Sequence, residues 1–265
     1  MDVKSIRFEI ERAMRSIWIY ISILIGVFIG TLDLCLFHSI YKTDGTSSLI
    51  QAWIGTDYKF AYNSLFYILF PIIACMPYAG TYYSDMNNGY DKNICIRSTR
   101  IQYMCSKMIA VYLSSFIAVT VPLLFNLFLA AGFYPNNSPE RLTFMVAGVI
   151  DCNMFPYLFQ CHPVIYCLIY ILIDGIMGGL LGMVAVCISR WVDSRFSAIM
   201  VPFVLYVVVG VVLSEQDLGG WSLYGIVNPI QNALVLWYQP ILVFMAVIMV
   251  SVIITIIYSK KRDIL

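Results

Sequence analysis

The sequence predicts an all-α membrane protein with six transmembrane helices and both termini in the cytoplasm, and three observations carry that prediction. Hydrophobic residues make up 61% of the chain and charged residues only 12%, the inverse of a water-soluble domain, where about a quarter of residues are charged. Long uncharged stretches recur near residues 17 to 37, 60 to 81, 108 to 131, 163 to 188, 197 to 213 and 241 to 258. Most of them are close to the roughly 20 residues a helix needs to cross a bilayer. Finally, thirteen of the sixteen Lys and Arg residues form four clusters that alternate with pairs of these stretches. The clusters are Lys4, Arg7, Arg12 and Arg15; Lys92, Arg97, Arg100 and Lys107; Arg190 and Arg195; and Lys260, Lys261 and Arg262. The positive-inside rule places all four in the cytoplasm, and an even number of crossings returns the chain to the side where it began.

Residues 1 to 16 space Val3, Ile6, Ile10, Met14 and Ile17 at three- and four-residue intervals, with Lys4, Arg7, Glu11, Arg12 and Arg15 on the remaining faces. This reads as an amphipathic helix lying in the membrane interface; the alternative is a cytosolic cap that only carries orienting charges. The stretch runs into a full-length span with no small-residue cleavage site, so it is expected to stay attached rather than be removed as a signal peptide. The second span contains Pro71 and Pro77. The outer loop from Gly132 to His162 carries an apolar run, Leu142 to Ile150, between polar flanks and is expected to be ordered. Residues 218 to 259 hold no charge for 42 positions, room for two crossings. A second crossing would carry Lys260, Lys261 and Arg262 outside, and Asn228, Pro229, Gln231 and Asn232 are costly in lipid. Residues 214 to 240 therefore read as an external re-entrant or surface-lying helical hairpin that packs on the spans. With no internal repeat and no linker, residues 1 to 265 form a single domain.

A net charge of +1 supplies no field for nucleic acid, and the basic residues beside the spans meet anionic lipid headgroups instead. Eight cysteines without a Cys-x-x-Cys pair, and two histidines, His38 and His162, predict no metal site. No cofactor is expected. Cys152 and Cys161 share one outer loop, where a disulfide and two buried free thiols are both open. There is no His-Glu-x-x-His for a zinc protease and no Gly-x-x-x-x-Gly-Lys phosphate loop, so no catalytic residue and no ATP site of that kind is predicted.

Asp174 stands near the middle of the fourth span, where an ionised carboxylate costs about 2.5 to 3.5 kcal/mol on insertion scales, so it must face protein or water. It is a candidate contact in a translocation pathway. Gly175, Gly178, Gly179 and Gly182 follow it, and such small residues fit equally an acid that holds two closely packed helices together. Asp33, nearer the outer end and within reach of water, reads as structural. Thirteen Met and an aromatic content of 15% serve packing and interface belts, with the lining of an apolar pathway as the other reading.

The first inner loop, residues 82 to 107, reads YYSDMNNGYDKNICIRSTRIQYMCSK. Turn residues give way to Ile94, Ile96, Ile101, Tyr103 and Met104 set among Arg97, Ser98, Thr99, Arg100 and Lys107, a composition suited to contact with a partner. A solvated basic loop that only sets topology is the alternative. The order of a basic amphipathic N-terminal helix, a Pro-containing second span, Asp85 four positions before Gly89, the Arg97 to Arg100 turn and Lys107 opening the third span resembles the permease subunits of type-2 ATP-binding-cassette exporters. The similarity covers six spans in topology and is concentrated in residues Phe70 to Lys107, with Asn228-Pro229 as a weaker echo. Family members more often carry glutamate where this chain has Asp85.

The resemblance implies a non-catalytic permease of a bacterial plasma membrane that exports a hydrophobic or amphipathic compound such as a peptide, an antibiotic or a lipid-like molecule. It implies that Asp85, Gly89, Arg97, Arg100 and Lys107 couple to a separate ATPase subunit, present in two copies, and that the chain pairs with a second copy or a sister permease. An ion-coupled secondary transporter using Asp174 and Asp33 is the alternative, although the prolines at 71, 77, 122 and 202 show no paired symmetry.

Overall fold

Every regular element that a computed structural model describes in this chain is a helix, over residues 3–41, 47–56, 61–90, 94, 99–137, 153–192, 194–231 and 233–262. In order they are α1 (Val3–Met14), α2 (Ile17–Tyr41), α3 (Leu49–Ala52), α4 (Ala61–Cys75), α5 (Thr81–Asn87), α6 (Arg100–Phe133), α7 (Pro156–Cys161), α8 (Pro163–Ile188), α9 (Arg195–Glu215), a 3-10 turn (Gly219–Trp221), α10 (Leu223–Val227) and α11 (Gln239–Arg262). Among the described residues, four stretches are long and apolar enough to cross a membrane: Ile17–Ile40, Ile101–Phe133, Pro163–Ile188 and Arg195–Glu215.

The expected second crossing is divided. α4 ends at Cys75 after 15 residues, the chain turns through residues 76 to 80, and α5 then begins at Thr81. Pro77 sits inside that turn, where its missing N–H removes a bond the helix would need to continue. α6, in contrast, starts earlier than the apolar run, because Thr99 accepts a bond from the Gln102 backbone while the Gln102 side chain reaches back to the Thr99 N–H. This capping box turns part of the predicted loop into helix. Between α9 and α11 the chain forms the 3-10 turn, the five-residue α10 and then irregular backbone. The apolar run Leu142 to Ile150 and Cys152 lie outside the described residues, and Cys161 is an exposed free thiol.

Contacts at the two ends show that α2, α4, α6, α8, α9 and α11 alternate in direction. At the α1 end, the Ser16 hydroxyl donates to the Pro77 carbonyl at 3.1 Å, Arg190 lies 5.6 Å above the Tyr82 ring, and Arg195 lies 5.5 Å from the Trp18 ring. At the opposite end, His38 Nδ1 and the Tyr134 hydroxyl are 3.1 Å apart. There, side-chain amides meet the irregular backbone. Asn63 donates to the carbonyls of Ile54 and Gly55, Asn126 accepts from the Ile54 N–H, Asn153 donates to the Pro229 carbonyl, and Gln231 accepts from the Met154 N–H. Backbone polar groups that leave helical geometry are thereby satisfied inside the protein.

Small residues set the helix spacing. α6 and α8 form the most extensive pair, and a Cβ at Gly178 would stand 2.8 Å from Val119. α2 meets α6 through Gly26 and Gly30. A Cβ at Gly26 would stand 2.7 Å from the Pro122 ring, while the Asn126 amide donates to the Gly30 carbonyl at 2.7 Å. Backbones approach this closely only where side chains are missing. Pro71, inside α4, leaves the Tyr67 carbonyl one turn earlier without its helical donor. The Tyr206 hydroxyl of α9 fills that vacancy at 3.2 Å, so the helix defect becomes an attachment point.

Candidate functional site: a buried charge cluster

Four charged side chains from α1, α5 and α6 meet at the α1 end of the bundle. α1 turns Glu9 and Ala13 inward, while Phe8, and Ile17 at the start of α2, are exposed. The inward face is thus not the purely apolar stripe the spacing predicts, and Glu9 is tolerated there because cations reach it. Arg12, one turn further, grips the Asp85 carboxylate with both terminal nitrogens, at 2.6 and 3.0 Å. Lys107 enters from α6 and donates to Asp85 at 2.6 Å while standing 3.5 Å from Glu9. Its side chain is 0% exposed, and that of Asp85 is 2% exposed.

Hydroxyls and rings complete the cluster. The Tyr103 hydroxyl donates to Asp85 and the Tyr78 hydroxyl to Glu9, each at 2.9 Å. The Lys107 ammonium lies 4.3 Å above the Tyr78 ring, and the Arg12 guanidinium 4.7 Å above that of Tyr90. Burial by itself would raise the Asp85 carboxyl, but the Arg12 hydrogen bond and the Lys107 charge outweigh it and hold the group below the usual carboxylate range. Burial likewise opposes the Arg12 guanidinium, and the Asp85 partner overcomes it, leaving Arg12 still harder to deprotonate. Two anions and two cations cancel, the condition under which buried ions persist.

The cluster ties three helices together. Asp85 and Lys107 flank residues 88 to 99, so their ion pair clasps both ends of that segment, and Glu9 and Arg12 fasten α1 to the same point. Among the described residues there is no group of side chains suited to a metal ion.

The residues singled out from sequence fare differently. Asp85 and Lys107 come together, and both side chains are enclosed. Gly89 lies just past α5 with φ +68 and open space around it, a left-handed turn that glycine adopts without strain. Arg97 and the Arg100 side chain lie outside the described residues, and the Arg100 backbone opens α6. Asp174 is enclosed at the middle of α8, where its Oδ2 accepts from the Tyr67 hydroxyl at 3.2 Å. Asp33 is also fully enclosed, not within reach of water as expected, because it follows Gly30 by three residues on the face of α2 that closes on α6.

Sequence reading passed over Glu9 and Tyr78, took Tyr103 as part of a partner-contact stretch, and placed Arg12 on the polar face of an interface helix. The available signal was Lys107 itself: a lysine two turns inside an apolar helix requires an acid nearby. No family model, curated protein or solved structure matches the chain.

Proposed function

We propose that the chain is the membrane-spanning, non-catalytic subunit of an ATP-binding-cassette exporter of the type-2 class, working in a bacterial plasma membrane. In this reading it crosses the membrane six times, with both termini and the buried charge cluster on the cytoplasmic side, and residues 214 to 240 re-enter on the outer face. Its cargo is a hydrophobic or amphipathic compound, and it pairs with a second copy or a sister permease and with two ATPase subunits. The sequence resemblance supports the class.

The observation that carries the reading is the clasp around residues 88 to 99. With Asp85 and Lys107 locked to each other and to α1, the end of α5 and the start of α6 move together. A force that a nucleotide-driven partner applied at these locked ends would therefore reach a long apolar helix. Coupling then requires only that the partner bind one arrangement of the helices more tightly than the other.

The test is transport in vesicles containing the chain with its ATPase. Replacing both Arg97 and Arg100 with Glu is expected to abolish co-purification of the ATPase while the permease still inserts. Asp174→Asn is expected to lower export more than it lowers expression. Transport that follows an ion gradient and ignores nucleotide would replace this reading with that of an ion-coupled secondary transporter.

A further inference from the structure

Asp174 is the one charged-type side chain in the middle of α8, and it is 0% exposed. Its surroundings come from four helices. α4 supplies the Tyr67 hydroxyl, which donates to Oδ2 at 3.2 Å. α9 supplies Tyr206, whose own hydroxyl is engaged by the Tyr67 carbonyl. On α8 itself Tyr170 stands one turn away, with its hydroxyl donating to Asn153 Oδ1. α6 closes the last side with Phe116 and Thr120 packed against Gly175. The titratable groups that face Asp174 are thus phenols, and Oδ1 has no hydrogen-bond partner among the described residues.

A bare carboxylate in such a place lacks a compensating charge, whereas a neutral acid carries no charge to compensate, and Tyr67 still bonds its carbonyl oxygen. We infer that Asp174 is a proton-binding site, with the proton carried on Oδ1 and the carbonyl oxygen Oδ2 held by Tyr67. Binding forms one O–H bond from a carboxylate and a proton taken from water, and release reverses it. A metal cation is a poor match for the same position, because a hard cation takes about six oxygen ligands and, among the described residues, Tyr67 offers the only hydroxyl bonded to the carboxyl.

The site is joined to the kink of α4. Tyr67 holds α9 through the carbonyl that Pro71 leaves open and holds α8 through its hydroxyl, so one residue ties three helices. Any rearrangement that draws α4 away from α8 breaks the bond to Asp174, admits water and favours the ionised form. Proton release therefore accompanies separation of α4 from α8, and by reciprocity protonation favours their closure.

Infrared spectroscopy of the purified protein in lipid at neutral pH tests this without nucleotide or cargo. The expected result is a protonated-carboxyl carbonyl band that is lost in Asp174→Asn and displaced when wild-type protein carries a heavy isotope in its aspartate carboxyl carbons. Tyr67→Phe should keep the band and move it to higher frequency, because the carbonyl loses its donor. A wild-type spectrum with no band displaced by the isotope overturns the inference even if the variants fail to fold, as does a band unchanged by Asp174→Asn. Because no ATPase is present, this result and the exporter reading stand or fall separately.

Discussion

Asp85 and Asp174 are both enclosed by protein, yet the chain surrounds them in opposite ways. Asp85 has a bidentate arginine, a lysine and a tyrosine, inside a cluster whose charges cancel. Asp174 has one tyrosine hydroxyl. The first arrangement keeps a carboxylate ionised by surrounding it with fixed cations. The second leaves the acid to meet its own charge by taking up a proton. The difference follows position: the Asp85 cluster draws on α1 and on the start of α6, where basic residues are plentiful, whereas the described side chains around mid-α8, such as Tyr67, Tyr170, Phe116 and Thr120, include no cation.

The largest effect should come from breaking the charge balance. Lys107→Met leaves Glu9 and Asp85 with Arg12 alone and should destabilise the folded protein by about 3 to 5 kcal/mol, read from thermal or denaturant unfolding in detergent. Asp174→Asn, which exchanges one neutral polar group for another if the acid is protonated, should cost far less in the same assay. Equal losses would erase the contrast between the two aspartates.

Much of the helical scaffold was legible because apolar length and flanking charge are local signals. The predicted stretch 163 to 188 coincides with α8, and those near 17, 197 and 241 differ from α2, α9 and α11 by a few residues at each end. The division of α4 from α5 was less so, since prolines inside a hydrophobic run either kink a helix or end it, and tertiary partners decide which. Pro71 is accommodated by Tyr206, whereas Pro77 lies in a turn. The charge cluster was legible only in pieces. Asp85 and Lys107 stood out by their order along the chain, but the Arg12 to Asp85 bond joins residues 73 positions apart, and no periodicity reports such a meeting.

A smaller effect should appear when the imbalance is repaired. Combining Lys107→Met with Asp85→Asn removes one charge of each sign and leaves Glu9 facing Arg12. The pair should therefore cost less than the sum of the single losses, by an interaction energy of about 0.5 to 3 kcal/mol, measured by a double-mutant cycle. Strict additivity would mean that Lys107 and Asp85 do not share their environment. At the Asp174 site, Tyr67→Phe removes one neutral hydrogen bond and should lower stability by about 1 kcal/mol.

The gentlest way to separate the two aspartates is acid. The Asp85 carboxyl lies below its usual range in the folded protein, so the unfolded chain binds its proton first as pH falls. Stability from this group is therefore complete above the ordinary carboxylate range and is lost as pH drops through the depressed native value, a decline that begins only below about pH 5. Between neutral pH and that point the Asp85 contribution should be flat. Asp85→Asn should lower the plateau and make the acid limb shallower, because the variant has no carboxylate left to protonate at this position. Unfolding measured across this range with wild type and Asp85→Asn checks the sign. An acid limb of unchanged steepness in the variant would show that the ion cluster does not hold Asp85 ionised, and the contrast with Asp174 would lose its basis.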